Sequence, residues 1–358
     1  MTGLRVNVPG DLFSGYTMSG RGRMWHEVLT RLADLCQVRP VDDGPLARLK
    51  RRRQGPPDAW LFDGHLGPLA VPEPQVIQLH EAPWTEADTM LTLGQRFIEM
   101  VVEPSRRSAR AAAAIVCPSE SAKRQIVEDC DVAPEVVFVA HHGVDHRVFH
   151  PGIGGGSDVV RRHGGQDDRP YVLTVASVHP RKNLQALRTA VTQLASEGFP
   201  HQLVVVGGPA HGRPDWEALA AAAFADLEGA PGRLIAIPAG ISDGELAALM
   251  GGASAFCLPS LSEGFGLPAA EAMACGAPTV LANRGALPEV GAGAAVMVEP
   301  NPSDIADGLR SLLIDPVAAR VLGDAGAVRA QAFSWDRCAA QWLDAITAGV
   351  ARDARAMN

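Results

Sequence analysis

The sequence predicts an α/β protein built of two doubly wound domains. Short apolar runs alternate with longer amphipathic stretches, the pattern of β-α-β units whose parallel strands are buried on both faces. The runs fall into two series rather than one. Between the series, the stretch His150-Pro-Gly-Ile-Gly-Gly-Gly156 breaks the periodicity and reads as a flexible interdomain linker. The domains are accordingly expected over 1–152 and 153–335, with a last amphipathic helix over 336–358 joining the first domain.

In chain order, the first series places strands at Leu4–Val8, Ala59–Phe62, Gln75–Leu79, Ala114–Cys117 and Val136–Ala140. The second places them at Tyr171–Val175, Gln202–Val206, Leu234–Ile237, Ala255–Leu258, Pro278–Leu281 and Ala295–Val298. Each run is too short for a stable helix and is bounded by polar or turn residues. Apolar residues at three- and four-residue spacing predict helices over 24–35, 119–129, 183–196, 243–250, 268–274 and 303–313.

A chain of 358 residues that is 47% apolar can bury a core without disulfide or metal staples. The net charge of −8, from 32 basic and 40 acidic residues, argues against a nucleic-acid partner. The cysteines at 36, 117, 130, 257, 275 and 338 show no C-x-x-C or zinc spacing, and read as small buried hydrophobes in a reducing compartment. Arg5 and Pro9 interrupt the start of the chain, and no run approaches the ~18 apolar residues of a membrane span. A cytoplasmic protein is the expectation. Lysine occurs only at 50, 123 and 182, so a lysine inside a motif carries information.

The sharpest motif is Glu263-Gly-Phe-Gly-Leu-Pro-Ala-Ala-Glu271, which follows an apolar run and opens a helix. Gly264 and Gly266 leave backbone amides accessible, and Pro268 suits a first helical turn. The helix amino end then offers N–H groups and a positive dipole to a phosphate oxygen. Glu263 and Glu271 flank the turn and can accept hydrogen bonds from hydroxyls. A phosphate with hydroxyl-rich groups describes a nucleotide sugar. The plain alternative is a glycine-rich turn with two solvated glutamates. A second motif, Ser177-Val-His-Pro-Arg181-Lys182-Asn183, follows the strand Tyr171–Val175, at the carboxyl edge where doubly wound folds bind ligands. Arg181 and Lys182 can neutralise a diphosphate there, and Asn183 can cap the next helix.

These two motifs resemble the retaining glycosyltransferases of family 4, whose mark is two glutamates separated by seven residues. Leu287-Pro-Glu-Val290, His179-Pro-Arg-Lys-Asn183 and Gly143-Val-Asp145 with Phe149 and Pro151 fit the same family. The resemblance implies the GT-B fold, two facing Rossmann-like domains with the active cleft between them. It implies that Glu271 holds the ribose hydroxyls and Glu263 the donor sugar. It places amides of Gly264, Phe265, Gly266 and Leu267 on the sugar and phosphate, and Lys182 on the diphosphate. Many members carry arginine near position 177. Ser177 departs from that, leaving Arg181 as the second phosphate contact. Gly240-Ile241-Ser-Asp243 matches the loop whose backbone meets the base.

In the first half, Gly10–Arg23 reads as a glycine-rich loop, and Ser19-Gly20-Arg-Gly22-Arg23 resembles the family's loop near the donor phosphate. A plain flexible loop is the alternative. His80 ends a predicted strand, where relatives have histidine followed by an acid, and is assigned to the cleft. His141-His142 reads as structural. Asp129-Cys-Asp131 fits a metal-binding D-x-D pattern but reads as an exposed turn. Val206-Gly-Gly-Pro-Ala-His-Gly212 lacks dinucleotide spacing. Arg48-Leu-Lys-Arg-Arg-Arg53 reads as a solvated face, with an anionic membrane surface as the alternative.

The expected activity is transfer of a hexose, mannose first, from a nucleoside diphosphate sugar to the hydroxyl of a sugar, lipid-linked or small-molecule acceptor. No metal or other cofactor is expected. The rival readings are a nucleotide-sugar epimerase or phosphorylase on the same fold, or a catalytically silent nucleotide-sugar binding subunit.

Overall fold

The computed structural model describes residues 3–10, 12, 20–41, 55–66, 70–81, 101–165, 169–208 and 234–356. The apolar runs all become parallel strands. In the first sheet these are β1 (Arg5–Pro9), β3 (Ala59–Asp63), β4 (Gln75–Gln78), β5 (Ala114–Cys117) and β6 (Val137–Val139). They are joined by β2 (Gln37–Val41), which the apolar pattern does not reveal. The order is β2-β1-β3-β4-β5-β6. Strand β2 pairs with β1 from Arg5↔Gln37 to Pro9↔Val41 and forms the sheet edge, where Pro40 gives up no ladder bond to a further strand.

The second sheet holds β7 (Tyr171–Val175), β8 (Gln202–Val206), β9 (Leu234–Ile237), β10 (Ala255–Leu258), β11 (Thr279–Ala282) and β12 (Val296–Val298). Its order is β12-β11-β10-β7-β8-β9, so the winding reverses between β7 and β10. The loops leaving these two strands therefore run in opposite directions and open a crevice at their carboxyl ends.

The described helices are α1 (Gly20–Leu35), α2 (Glu103–Ala111), α3 (Glu120–Cys130), α4 (Gly156–Arg162), α5 (Leu184–Ser196) and α6 (Asp243–Gly252), followed by α7 (Leu267–Ala274), α8 (Leu287–Gly291), α9 (Pro302–Leu313), α10 (Pro316–Ala330) and α11 (Trp335–Ala356). Helices α2, α4, α8 and α10 escaped the periodicity because they are short or made largely of small residues. None of the described helices is long and apolar enough to cross a membrane.

The chain divides into two units, 1–143 with 333–358, and 144–332. In the first, Phe62, Ile77, Ile115, Ile126 and Val137 form a buried cluster, and Trp25 of α1 meets Trp342 of α11 at 5.3 Å between ring centroids. In the second, Leu187 and Val191 of α5 and Ile305 and Leu309 of α9 pack with Val172, Leu203 and Cys257 of the sheet. The division falls after Gly143, ahead of the expected linker over 150–156. That stretch belongs to the second unit, where a Cβ on buried Gly156 would stand 2.3 Å from Tyr171 Oη and 2.5 Å from the Ala248 carbonyl oxygen. Gly156 thus serves close packing, whereas Gly152, Gly154 and Gly155 stand exposed with nothing near a built Cβ.

Candidate active site

Strands β7 and β10 are neighbours, with Ala255 opposite Val172, so the segments that follow them meet at the switch point of the second sheet. Leu261 N donates to Arg181 O at 2.8 Å. Asn183 was expected to cap α5, but its backbone is left-handed (φ 54°) and its side chain makes no cap bond. Its amide instead donates to Pro259 O at 3.2 Å and Pro300 O at 2.8 Å, tying the Arg-Lys turn to the loops after β10 and β12.

This tie brings the two motifs into contact. Lys182 Nζ stands 2.6 Å from Glu263 Oε1, and Ser260 Oγ donates to the same oxygen at 2.6 Å. Arg181 Nη1 is 3.6 Å from Glu263 Oε2 and donates to Ser262 O at 2.5 Å. Glu263 is 8% exposed. Burial alone would raise its carboxyl pKa. The charges of Lys182 and Arg181, with hydrogen bonds from Lys182 and Ser260, outweigh burial and hold it below the ordinary value. Two cations around one carboxylate leave the cluster net positive, which suits a phosphate.

Two further residues shape the cluster, and motif reading missed both. Ser260 sits three residues ahead of Glu263 and fixes its carboxylate. Gly285, after β11, has φ 54°, and a Cβ there would lie 2.7 Å from Glu263 O and 2.8 Å from Glu263 N. The neighbouring Ala286 N donates to Glu263 O at 2.9 Å, so a third loop clasps the glutamate backbone. The only available signal for either was position, a small residue just past an apolar run.

Glu263 leads into α7, whose N-cap Gly266 is left-handed (φ 93°) and offers no side-chain cap. The first turn of α7 therefore carries its dipole charge beside the cluster. Phe265 and Leu267 are buried, so only backbone at these positions can serve a ligand, and Gly264 is half-buried. Glu271, four residues into α7, is 4% exposed. The solvated-glutamate alternative is thereby removed for both carboxylates. Ser177 is half-buried between Ala176 and Val178, whose amides bond Val206 O and Gly208 O. Ile241 precedes Ser242, which forms a capping box with Glu245 at the start of α6.

The remaining candidates lie in the first unit. Gly20 and Gly22 correct the sequence reading: they form the first turn of α1, not a loop. Met24, Trp25, Val28 and Leu29 bury the face of that helix, and its burial carries the helix back through the glycines. His80 lies just past β4, with Gln78 Nε2 3.3 Å from its Nδ1. Its ring stacks on His65 at 6.4 Å and meets His142 edge-on at 5.9 Å. Burial, then the neighbouring His141, pushes the His142 pKa down to about 3, so it is a neutral core histidine against Trp335. Asp129 is no exposed turn residue. Its side chain is 8% exposed and bonded by Arg106 Nε at 3.0 Å and Nη2 at 2.5 Å. Ser19, the run Arg48–Arg53, and Pro209 to Gly212 lie outside the described residues.

The family model for glycosyl transferases group 1 matches residues 158–329. The chain is 34% identical to the MMP alpha-(1->4)-mannosyltransferase of Mycolicibacterium hassiacum over 256 residues, 70% of this chain and 58% of that protein. It thus spans less than two thirds of that relative's length. Among solved structures, sucrose-phosphate synthase from Thermosynechococcus elongatus superposes with a TM-score of 0.76 at 18% identity, covering 95% of this chain and 98% of that one. Anabaena HepE, solved with UDP-glucose, gives 0.73 at 17% identity over 96% and 99% of the two chains. With its two six-stranded parallel sheets, the chain has the GT-B fold, and its second unit is similar to the glycosyl transferases group 1 family over residues 158–329.

Proposed function

We propose that the protein transfers a hexose from a nucleoside diphosphate sugar to an acceptor hydroxyl, with retention of anomeric configuration and no resident metal. The observation that carries the reading is the buried Arg181–Lys182–Glu263 cluster at the switch point, beside the amino end of α7. Breaking the bond between the anomeric carbon and the phosphate oxygen puts negative charge on the diphosphate. Lys182, Arg181 and the first turn of α7 stabilise that charge more in the transition state than in the ground state. The acceptor oxygen bonds the same face of the anomeric carbon, and its proton passes to the departing phosphate oxygen. Glu263 accepts from hydroxyls of the sugar and Glu271 from those of the ribose. His80 is assigned a part in transfer, its ring oriented by Gln78. Mannose is the favoured hexose, because the relative at 34% identity is a mannosyltransferase.

A thermal-shift panel of GDP, UDP, GDP-mannose and UDP-glucose tests the donor class. A ligand at 100 times its Kd adds about 2.7 kcal/mol of apparent stability. Release of free hexose from the best donor without acceptor then separates an enzyme from a silent binder, and analysis of that sugar separates transfer from epimerisation. No stabilisation by any of the four compounds would overturn the reading.

A further inference from the structure

Helix α10 reverses the usual distribution of side chains. Its buried positions are Ala319, Gly323, Gly326 and Ala330. A Cβ on Gly323 would stand 2.2 Å from the Gly276 carbonyl oxygen, so the helix backbone lies directly on the loop after α7. Apart from Leu322, which packs against the core cluster, its large apolar residues point outward. Val317 is 75% exposed, Val321 65% and Val328 75%, with Ile314 at 66% in the turn before. Among the described residues, these are the large hydrophobics that stand exposed. At ~100° per residue, positions 317, 321 and 328 fall within about 40° of one another, and so form one stripe. Exposed Ala318 and Ala325 extend it. Valine is a poorer helix former than the charged residues suited to a solvated face, and an uncovered apolar stripe gains nothing from water.

The charges beside the stripe indicate what covers it. Arg320 and Asp324 are exposed one turn apart along its edge, and neither forms an ion pair with a described residue. A two-fold axis perpendicular to the helix and level with Leu322 pairs α10 antiparallel with its own copy. That operation sets Arg320 of each copy level with Asp324 of the other, on the same edge. It also places Val317 beside Val328. A membrane surface fits poorly, since the stripe carries an aspartate, has no aromatic anchor, and belongs to a chain of net charge −8.

We propose that the outer face of α10 is a self-association surface, pairing antiparallel with the same helix in a second copy of this chain. The face is self-complementary, as a two-fold interface requires. A helix of 15 residues is about 22 Å long, so the contact falls well under the ~800 Å² per partner of a standard interface and gives a weak, micromolar dimer.

Sedimentation equilibrium of the full chain from about 1 to about 200 μM covers the range of such an interface. A monomer–dimer equilibrium is expected. Val321→Glu should raise the dimer Kd at least ~10-fold, since it buries a charge in the contact, while leaving the thermal transition in place. Arg320→Glu and Asp324→Arg should each weaken the dimer, and the double variant should return to within about threefold of wild type. A chain monomeric throughout, a dimer indifferent to Val321→Glu, or a double variant no better than the singles would each overturn the proposal. So would a monomer whose binding to phosphatidylglycerol vesicles is lost in Val321→Glu, because that result assigns the face to a membrane.

Discussion

Replacing Lys182 with methionine keeps most of the side-chain length and removes its charge, leaving the Glu263 carboxylate to its remaining partners. The two side chains are 13% and 8% exposed, with N and O 2.6 Å apart. At an effective dielectric of ~20, that separation corresponds to about 6 kcal/mol of attraction. Desolvation costs several kcal/mol per ion, so the intact pair contributes little net stability. Removing one partner is different, because the desolvation cost of the other stays: 3–5 kcal/mol is the usual range for breaking such a pair. Here Arg181 remains at 3.6 Å and Ser260 at 2.6 Å, which offsets part of that cost. Lys182→Met should therefore lose about 2–3 kcal/mol, a fall of roughly 5–10 °C for a unit of this size. Lys182→Met/Glu263→Gln should recover at least about 1 kcal/mol, since no uncompensated charge is left buried. Scanning calorimetry of wild type, both single variants and the double closes the cycle. Additive losses, or a Lys182→Met transition within ~0.5 kcal/mol of wild type, would show that the buried pair does not govern this site.

Four outcomes follow from the same geometry. Because the folded-state pKa of Glu263 is depressed, its stabilisation is present above the unfolded value of ~4.3 and is lost as pH falls through the lower folded value; Glu263→Gln should flatten the acid limb of a denaturation series in that window. His142, also depressed, stabilises fully above ~6.5 and loses that contribution as pH falls toward about 3, so His142→Phe should reduce the pH dependence across that interval. Gly285→Ala meets both a positive φ and a 2.7 Å contact with Glu263 O, and should cost about 2 kcal/mol or more in urea denaturation, with weakened nucleotide binding. Under the proposed function, calorimetry should find nucleoside diphosphate affinity reduced in Glu271→Gln and kept in Glu263→Gln, with the latter losing chiefly kcat; equal losses in both would mean the roles are reversed or the motif misread.

Much of this was legible in the chain itself. A buried parallel strand must be apolar on both faces, so runs such as Tyr171–Val175 and Ala255–Leu258 announced themselves without neighbours. Edge strand β2 did not, because a strand with an open side may carry Gln37 and Pro40. Helix α10 and the first turn of α1 stayed hidden for a related reason: glycine and alanine leave no apolar period, and tertiary packing alone stabilises helix there. Gly156 misled in the opposite sense, since sequence cannot distinguish a glycine that frees the chain from one that admits Tyr171 and Ala248.

The doubly wound α/β class and the residue types of the candidate site reside in local patterns: apolar runs, and charged or glycine residues at the ends of those runs. Which of these residues act on one another was set by the folded arrangement alone. Strand order brings the loop after β7 against the loop after β10, across more than 80 residues of chain, and so joins Lys182 to Glu263. It also turned Asn183 from the expected helix cap into a tie between loops, enlisted Ser260 and Gly285, and buried both glutamates. The physical reason is that burial and charge pairing depend on distance in space, which sheet order sets and sequence separation does not.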